Sequence, residues 1–157
     1  MFKDDIFPFL IFLLITFLAA FIGSFFTTKS INGWYQFLNK PSFAPPNWLF
    51  APVWSILYFL MAISAFLIWK KKKEINVREA LMFYFIQLIL NVLWSIVFFG
   101  LKSPFFGFLE ILILWFFIFL TILKFYKIEK LASYLLIPYI LWVSFAGILN
   151  FFILILN

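Results

Sequence analysis

Charged residues divide this 157-residue sequence into five long stretches that contain almost none of them. One stretch carries a single charge, Glu110, and the other four carry none; the five cover residues 6–28, 41–69, 80–101, 103–123 and 131–157. A helix needs about 20 apolar residues to cross the hydrocarbon core of a bilayer, so each stretch is long enough. Only helices and closed barrels satisfy their backbones in lipid, and these stretches lack the alternation of barrel strands.

The sequence therefore predicts an all-α integral membrane protein, a bundle of five transmembrane helices. The composition agrees, because 67% of residues are hydrophobic and 11% are charged, whereas soluble domains average about 45–50% apolar and about 25% charged. We expect a single membrane domain over residues 1–157. Its predicted helices cover residues 6–28, 47–69, 80–101, 105–124 and 131–155.

The absence of Cys and His from the sequence excludes several chemistries. There is no thiolate nucleophile, no disulfide, no imidazole base and no serine–histidine hydrolase site. Glu110 is the only acidic residue inside an apolar stretch, so paired intramembrane carboxylates are also missing. We expect no metal site and no cofactor, and we expect Glu110 to reach towards the membrane interface.

The positive charges predict the orientation. Nine Lys and Arg residues fall on one side of the predicted bundle, and Lys29, Lys40 and Lys102 fall on the other. Cytoplasmic connections carry the excess of Lys and Arg, so the N-terminus is predicted to be cytoplasmic in a multi-pass protein of the cell membrane. The net charge of +6 is thus mainly a topological signal rather than a nucleic-acid patch. Headgroups of membrane lipid are the natural partners of these cations.

The first connection, residues 29–47, is predicted to be a structured lid. Loops longer than about 12–15 residues are usually functional or disordered. This one carries several aromatic residues, including Trp34 and Tyr35, which makes it too apolar for a disordered linker. Pro41, Pro45 and Pro46 restrict its backbone.

Three predicted helices place aromatic and polar residues three or four positions apart, which puts them on one face of each helix. The faces consist of Phe50, Trp54, Tyr58 and Met61; of Gln87, Asn91, Trp94, Ser95 and Phe98; and of Tyr139, Trp142, Ala146 and Asn150. Intramembrane polar groups are costly and indicate a site, and aromatic walls with a few polar groups are typical of small-molecule pockets. Ordinary helix packing through the same amides is the alternative that the pattern leaves open.

Four segments carry a more specific signal. They are Trp34-Tyr35 followed by Lys40-Pro41-Ser42-Phe43-Ala44-Pro45-Pro46; Pro52-Val53-Trp54 with Leu57-Tyr58 and Met61; Gln87, Asn91, Trp94-Ser95 and Phe98-Phe99; and Pro138-Tyr139, Trp142, Phe145-Ala146 and Leu149-Asn150. In this order, over nearly the whole chain, they resemble the TspO/MBR family of bacterial tryptophan-rich sensory proteins and the mitochondrial translocator protein, the peripheral benzodiazepine receptor. Family members usually have Trp where this chain has Phe43.

The resemblance implies a homodimer of five-helix bundles that binds hydrophobic ligands beneath the first loop, among them protoporphyrin IX, other tetrapyrroles and sterols. It implies ligand-binding roles for Tyr35, Pro45, Trp54, Tyr58, Asn91, Trp94, Trp142 and Ala146. In bacterial members, the positions of Trp54 and Trp142 are linked to light-driven oxidative breakdown of protoporphyrin, so these two are the candidate catalytic residues.

Two functions from different classes fit these residues. The first is a membrane receptor or sensor that binds porphyrins in a Trp-lined pocket, with light-dependent porphyrin oxidation as an activity that the sequence leaves undecided. The second is a non-enzymatic transporter or carrier of tetrapyrroles, sterols or lipids, which needs only the pocket and the lid. An ion-coupled transporter is disfavoured, because inverted repeats and charged residues at mid-membrane are missing.

Overall fold

The structure is a computed structural model that describes residues 2–157, and within these residues it contains helices and no β-strand. Its α-helices are α1 (Phe2–Ile31), α2 (Phe50–Lys70), α3 (Arg78–Ser95), α4 (Pro104–Ile128), α5 (Lys130–Leu135) and α6 (Ile137–Leu156). Five helical segments are long and apolar enough to cross a membrane: Lys3–Ile31, Asn47–Lys73, Arg78–Gly100, Pro104–Ile128 and Lys130–Leu156. The predicted all-α bundle of five transmembrane helices is confirmed.

The last span differs from the prediction, because it is interrupted at Leu136 between α5 and α6. Pro138 explains the break, since proline has no backbone N–H and its ring clashes with the carbonyl of the residue four positions earlier. Proline is tolerated in the first turn of a helix, where that N–H has no intrahelical partner, and α6 begins there. The fifth span is therefore a short helix followed by a long one.

One end of the bundle, here called the basic end, is joined by ion pairs between different elements. Lys70 Nζ lies 3.2 Å from a carboxylate oxygen of Asp5, and Lys124 Nζ lies 2.7 Å from that of Glu79. Lys71 and Glu129 approach to 3.6 Å. The start of α1, the α2–α3 connection and the α4–α5 connection thus share one end, as the positive charges predicted. These pairs are partly exposed, so each contributes little to stability.

The bundle interior is closely packed, whereas α1 presents an apolar stripe outwards. Met61, Ala62 and Ala65 of α2 are fully buried, and the small alanine side chains allow neighbouring helices to approach closely. Phe7, Leu14 and Phe21 are spaced seven apart on α1, and each is 70% exposed. In a soluble protein such a stripe would be costly, but a bilayer solvates it.

The connection between α1 and α2, residues 32–49, is here called the lid loop. The end of the bundle on which it lies is called the lid end. It contains two 3₁₀ turns, Tyr35–Phe37 and Asn47–Leu49. The ammonium group of Lys40 donates to the backbone carbonyls of Tyr35 at 2.9 Å, of Gln36 at 3.2 Å and of Leu38 at 3.2 Å. The Lys40 side chain therefore joins three backbone carbonyls of this segment and gives the lid loop a defined shape.

Candidate functional site

An aromatic cavity lies beneath the lid loop, where α2, α3 and α6 meet. It is bordered by Tyr35, Phe50, Trp54, Trp94, Phe98, Phe99, Trp142, Ala146, Leu149, Asn150 and Ile153. The lid loop and three separate spans therefore contribute to one wall. The cavity volume is about 20 Å³, close to the space that a single water molecule needs. In this closed state the aromatic rings fill most of the site themselves.

The rings around the cavity pack against one another in defined geometries. Trp94 and Phe98 are stacked with their centroids 5.1 Å apart, and Tyr35 lies 6.3 Å from Phe98. On the other side, Trp142 meets Phe50 edge-to-face at 6.1 Å. Offset and edge-to-face pairs are the favoured arrangements of aromatic rings, and a flat aromatic ligand can use the same contacts.

The end of α3 explains why two consecutive residues reach the cavity. After Ser95 the chain forms a π-helical turn, Ile96–Gly100, which widens the helix. Phe98 and Phe99 are both buried in this turn and both border the cavity. Such π turns occur often at functional sites.

Two polar groups of the cavity wall are fully paired. The indole N–H of Trp94 donates to Oδ1 of Asn150 at 3.1 Å. The amide nitrogen of Asn150 donates in turn to the backbone carbonyl of Pro104 at 2.8 Å. Asn150 therefore links α3, α6 and the start of α4.

Two other polar groups of the same wall are unpaired. The hydroxyl of Tyr35 and the indole N–H of Trp142 are buried, and neither has a hydrogen-bond partner within residues 2–157. Burial raises the pKa of Tyr35 to about 12, so its hydroxyl stays protonated and remains a donor at neutral pH. Leaving a buried donor unpaired costs about 1–3 kcal/mol, a cost that a ligand with acceptor atoms would remove.

A buried hydrogen-bond network lies next to the cavity. The hydroxyl of Tyr58 donates to Oδ1 of Asn91 at 2.5 Å, and the Asn91 amide donates to the hydroxyl of Tyr139 at 2.8 Å. Tyr139 donates to Gln87 at 2.7 Å. The network joins α2, α3 and α6, and Trp54 packs on both tyrosine rings at 5.6 and 6.3 Å. The hydrogen-bond network therefore supports the cavity wall from behind and does not itself line the cavity.

Glu110 differs from the expectation that its carboxylate reaches the membrane interface. Both of its carboxylate oxygens are buried, and neither has a hydrogen-bond partner among residues 2–157. The residue lies in α4 beyond the first turn. Within the same residues, no three His, Cys, Asp or Glu side chains come together as a metal-binding group.

Comparison with known proteins places the chain in a family. The sequence profile of the TspO/MBR family matches residues 12–156, which is nearly the whole chain. The chain belongs to the TspO/MBR family. The tryptophan-rich protein TspO of Chlorobaculum tepidum is 49% identical over 88% of this chain and 89% of its own length.

Two further relatives carry functional names. The tryptophan-rich sensory protein of Cereibacter sphaeroides is 37% identical over 88% of this chain and 87% of its own length. The translocator protein of Bos taurus is 34% identical over 89% of this chain and 84% of its own length. The TspO/MBR resemblance of the sequence motifs is therefore confirmed over the full bundle.

In this TspO/MBR member, the structure brings five of the eight predicted ligand-binding residues to the cavity wall: Tyr35, Trp54, Trp94, Trp142 and Ala146. Tyr58 and Asn91 lie behind that wall in the hydrogen-bond network, and Pro45 is half-buried in the lid loop away from the cavity. The helical faces also contained Phe50, Phe98 and Asn150. The sequence analysis did not assign Phe99, Leu149 and Ile153 to the site. Phe99 and Leu149 stand in the segments that resemble the family, whereas Ile153 is apolar and carries no signal apart from its position beside the face of α6.

Proposed function

We propose that this TspO/MBR member is a membrane receptor or sensor that binds flat hydrophobic ligands, in particular porphyrins such as protoporphyrin IX, in the aromatic cavity beneath the lid loop. A free-base porphyrin is a mostly apolar plate, and its faces suit stacking on Trp54, Trp94 and Trp142. Stacking adds about 0.5–1.5 kcal/mol per aromatic pair beyond the burial of apolar area. The names of the relatives, sensory protein and translocator protein, support a role in recognising a ligand in the membrane.

The observation that carries the proposal is the pair of unpaired donors, Tyr35 Oη and Trp142 Nε1, in one aromatic-lined cavity. Interiors of folded proteins rarely leave such groups unsatisfied. Trp94, in the same wall, is paired with Asn150 and shows that the fold can satisfy an indole here. The propionate carboxylates at the edge of a protoporphyrin carry acceptor atoms that would satisfy both donors.

Ligand entry requires the site to open. The cavity of about 20 Å³ is far too small for a porphyrin, so the lid loop and the surrounding rings must move. The cation that shapes the lid loop, Lys40, is already bound by three carbonyls and is unsuited to hold a ligand carboxylate. Closure of the lid loop over a bound ligand then excludes water from the cavity.

Light-dependent oxidation of the bound porphyrin is the second part of the proposal. An excited porphyrin transfers its energy to dioxygen, and the resulting singlet oxygen adds to the tetrapyrrole ring. Both oxygen atoms remain in the product, so the step needs no external reductant. Trp54 and Trp142 are the proposed catalytic residues, because they border the cavity where the ring would lie and would relay the oxidation from singlet oxygen to the ring.

We further propose that the protein is a homodimer in the cell membrane with a cytoplasmic N-terminus. The family membership supports the dimer. The excess of Lys and Arg at the basic end, together with the ion pairs that gather its connections, supports the orientation.

The binding test is a spectral titration of the purified protein with protoporphyrin IX, followed by quenching of Trp fluorescence. We expect Trp142→Phe to weaken binding about tenfold, the effect of one lost hydrogen bond of about 1.4 kcal/mol. The matched variant is Trp94→Phe, which removes an indole whose N–H is already paired within the protein. Unshifted porphyrin absorption together with unchanged Trp emission would rule out the binding proposal.

The oxidation test repeats the titration under illumination at saturating porphyrin. At this saturating concentration the double variant Trp54→Phe, Trp142→Phe is expected to hold porphyrin but to bleach it no faster than the background rate. Free porphyrin and an inert hydrophobic binder provide the background rate, because porphyrins also bleach without an enzyme. Bleaching at the wild-type rate in the double variant would contradict a catalytic role.

The second candidate function is a non-enzymatic transporter or carrier of tetrapyrroles, sterols or lipids. The relative named translocator protein favours it, and it uses the same cavity and lid loop. The two candidates differ under light. A carrier binds porphyrin without accelerating its bleaching and transfers it between donor and acceptor vesicles.

A further inference from the structure

A second depression, here called the outer groove, lies at the lid end outside the aromatic cavity. It is open and has a volume of about 380 Å³. Its walls come from the lid loop, the α3–α4 connection and the end of α6: Trp34, Leu38, Lys102, Ser103, Pro104, Phe105, Leu154 and Asn157. The hydrogen bond from Asn150 to the Pro104 carbonyl and the contact of Trp34 with Phe98 at 5.5 Å separate it from the aromatic cavity.

The lid end has an unbalanced positive charge. Its cations are Lys29, Lys40 and Lys102, whereas five of the six acidic residues of the sequence belong to the basic end. The sixth, Glu110, is buried within α4. An anion that approaches this end therefore meets the cationic side chains without an acidic side chain at the surface.

Of the three cations, Lys102 is the one that borders the outer groove, and within residues 2–157 its ammonium group has no partner. Lys40 donates to three carbonyls of the lid loop, and the ammonium of Lys29 lies 4.0 Å from the ring centre of Phe25. Lys102 is exposed and borders the outer groove. Across residues 2–157, no ion pair, hydrogen bond or ring contact engages its ammonium group.

Two other polar side chains of the groove, those of Ser103 and Asn157, bond to the protein backbone. The hydroxyl of Ser103 accepts from the backbone N–H of Phe106 at 3.2 Å, which caps α4. The amide of Asn157 is bonded to the backbone of Asn39. Lys102 is thus the charged group that can recognise an anion here, and the positive end of the α4 dipole adds to its field.

The remaining walls of the groove suit an occupant that also has an apolar part. Trp34, Leu38, Phe105 and Leu154 provide apolar surface beside the charge. Lys102 lies between the membrane spans that end at Gly100 and begin at Pro104, so it sits at the boundary of the hydrocarbon core. A cationic side chain at this depth attracts the anionic headgroups of lipids.

We propose that the outer groove is a binding site for an anionic phospholipid. The phosphate pairs with the ammonium group of Lys102, and the glycerol and the first acyl carbons lie along the wall of Trp34, Phe105 and Leu154. A phospholipid combines one anionic oxygen cluster with an attached apolar chain, which matches the single cation and the apolar walls of the groove.

The test uses the full chain in nanodiscs of phosphatidylcholine with and without phosphatidylglycerol, with retained lipids counted by native mass spectrometry. We expect Lys102→Asn to reduce retention of phosphatidylglycerol about tenfold, the effect of one charge-assisted hydrogen bond. Asn suits this position because the backbone of Lys102 is left-handed, with φ at 54°. Lys102→Arg keeps the charge and is expected to keep retention.

Two matched variants separate the groove from general surface charge. Lys29→Asn removes the same charge from the same end and is expected to leave retention close to wild type. Leu154→Trp fills the groove while Lys102 remains, and it is expected to lower retention. Equal losses in Lys102→Asn and Lys29→Asn, or full retention in Leu154→Trp, would overturn the proposal.

Inorganic phosphate distinguishes a phospholipid from a free anion. If the groove holds a phospholipid, millimolar phosphate leaves the retained lipid in place. Displacement of the lipid by phosphate alone would overturn the assignment. Protoporphyrin titration of the same variants reports on the aromatic cavity separately, so failure of one site is distinguishable from failure of the other.

Discussion

Asn157 holds the lid loop to the end of α6 by exchanging hydrogen bonds with the backbone of Asn39. Its Oδ1 accepts from the Asn39 N–H at 3.0 Å, and its Nδ2 donates to the Asn39 carbonyl at 2.9 Å. The same Nδ2 donates to the Ile153 carbonyl at 2.8 Å, which fixes the side chain on its own helix. The lid loop, which covers the aromatic cavity, is therefore held by a residue that is distant from it in sequence.

Removing this fastening should loosen the lid loop without disturbing the bundle. We expect Asn157→Ala to release both bonds to Asn39, each contributing about 0.5–1.5 kcal/mol. The measurement is hydrogen exchange, with faster exchange over residues 34–46 and unchanged exchange in α2 and α4. Asn157→Gln is the conservative control. Equal exchange in the wild type and Asn157→Ala would show that the lid loop is held by its aromatic contacts alone.

Tyr35 gives the lid loop a dependence on alkaline pH. Burial raises its pKa to about 12, from 10.0 when exposed, so the ionised form favours the open or unfolded state. The stabilisation is therefore complete below pH 10.0 and is lost as the pH rises to about 12. Spectrophotometric titration of the phenolate, compared with Tyr35→Phe, identifies this residue. A Tyr35 signal that ionises near pH 10.0 would contradict its burial.

The same substitution separates stability from ligand binding. The Tyr35 hydroxyl has no partner within residues 2–157, so Tyr35→Phe removes an unsatisfied group. We expect an unchanged or higher melting temperature together with weaker protoporphyrin binding, since the free donor is lost. Weaker binding accompanied by a large loss of stability would instead indicate a structural role for the hydroxyl.

Much of this arrangement follows from the sequence, and the remainder depends on contacts that periodicity does not encode. The charge-free stretches predict the spans, and the three- and four-residue spacing places Trp54, Trp94 and Trp142 towards one site. The spacing cannot reveal the π-helical turn that brings Phe99 to the cavity, because that turn changes the helical period itself. Nor does it distinguish the buried carboxylate of Glu110 from one that reaches the interface.

The hydrogen bonds of the site could likewise be predicted only in part from the sequence. The sequence indicates that Asn91 and Asn150 face the interior, because amides are costly in lipid. It does not show that Asn150 contacts the Pro104 carbonyl, a pairing between distant segments that only the folded bundle creates. It also gives no sign that the Trp94 indole is paired while that of Trp142 has no partner among residues 2–157, which is the difference on which the proposed site depends.

Two glycines on facing helices test how tightly the cavity is supported. A Cβ at Gly107 would lie 3.0 Å from Phe98 Cδ2 and 3.1 Å from Asn150 Oδ1, both on cavity residues. A Cβ at Gly147 would meet Ile111 at 3.8 Å, an ordinary contact. We expect Gly107→Ala to destabilise the protein by about 1–3 kcal/mol through overpacking, less the helix propensity gained. Gly147→Ala is expected to gain only the higher helix propensity of alanine. Thermal unfolding in detergent compares the stabilities of the two variants.

The hydrogen-bond network beside the cavity should contribute modestly to stability and more to ligand affinity. Tyr139→Phe removes the bond from Asn91 at 2.8 Å and the bond to Gln87 at 2.7 Å. Interhelical hydrogen bonds in membranes contribute about 0.6 kcal/mol each, so we expect a loss of about 1 kcal/mol in unfolding free energy. Because Trp54 rests on the rings of Tyr58 and Tyr139, freeing Asn91 should also shift Trp54 and weaken protoporphyrin binding several-fold.

Tyr84→Phe is the matched control for that prediction. The Tyr84 hydroxyl is buried and bonded to Thr16 at 2.6 Å, and the residue is not part of the cavity wall. A similar loss of stability without a change in porphyrin affinity is expected there, since only a bond between α1 and α3 is removed. If both variants weaken binding equally, the network acts through general bundle stability. If only Tyr139→Phe does so, the network positions Trp54 for the ligand.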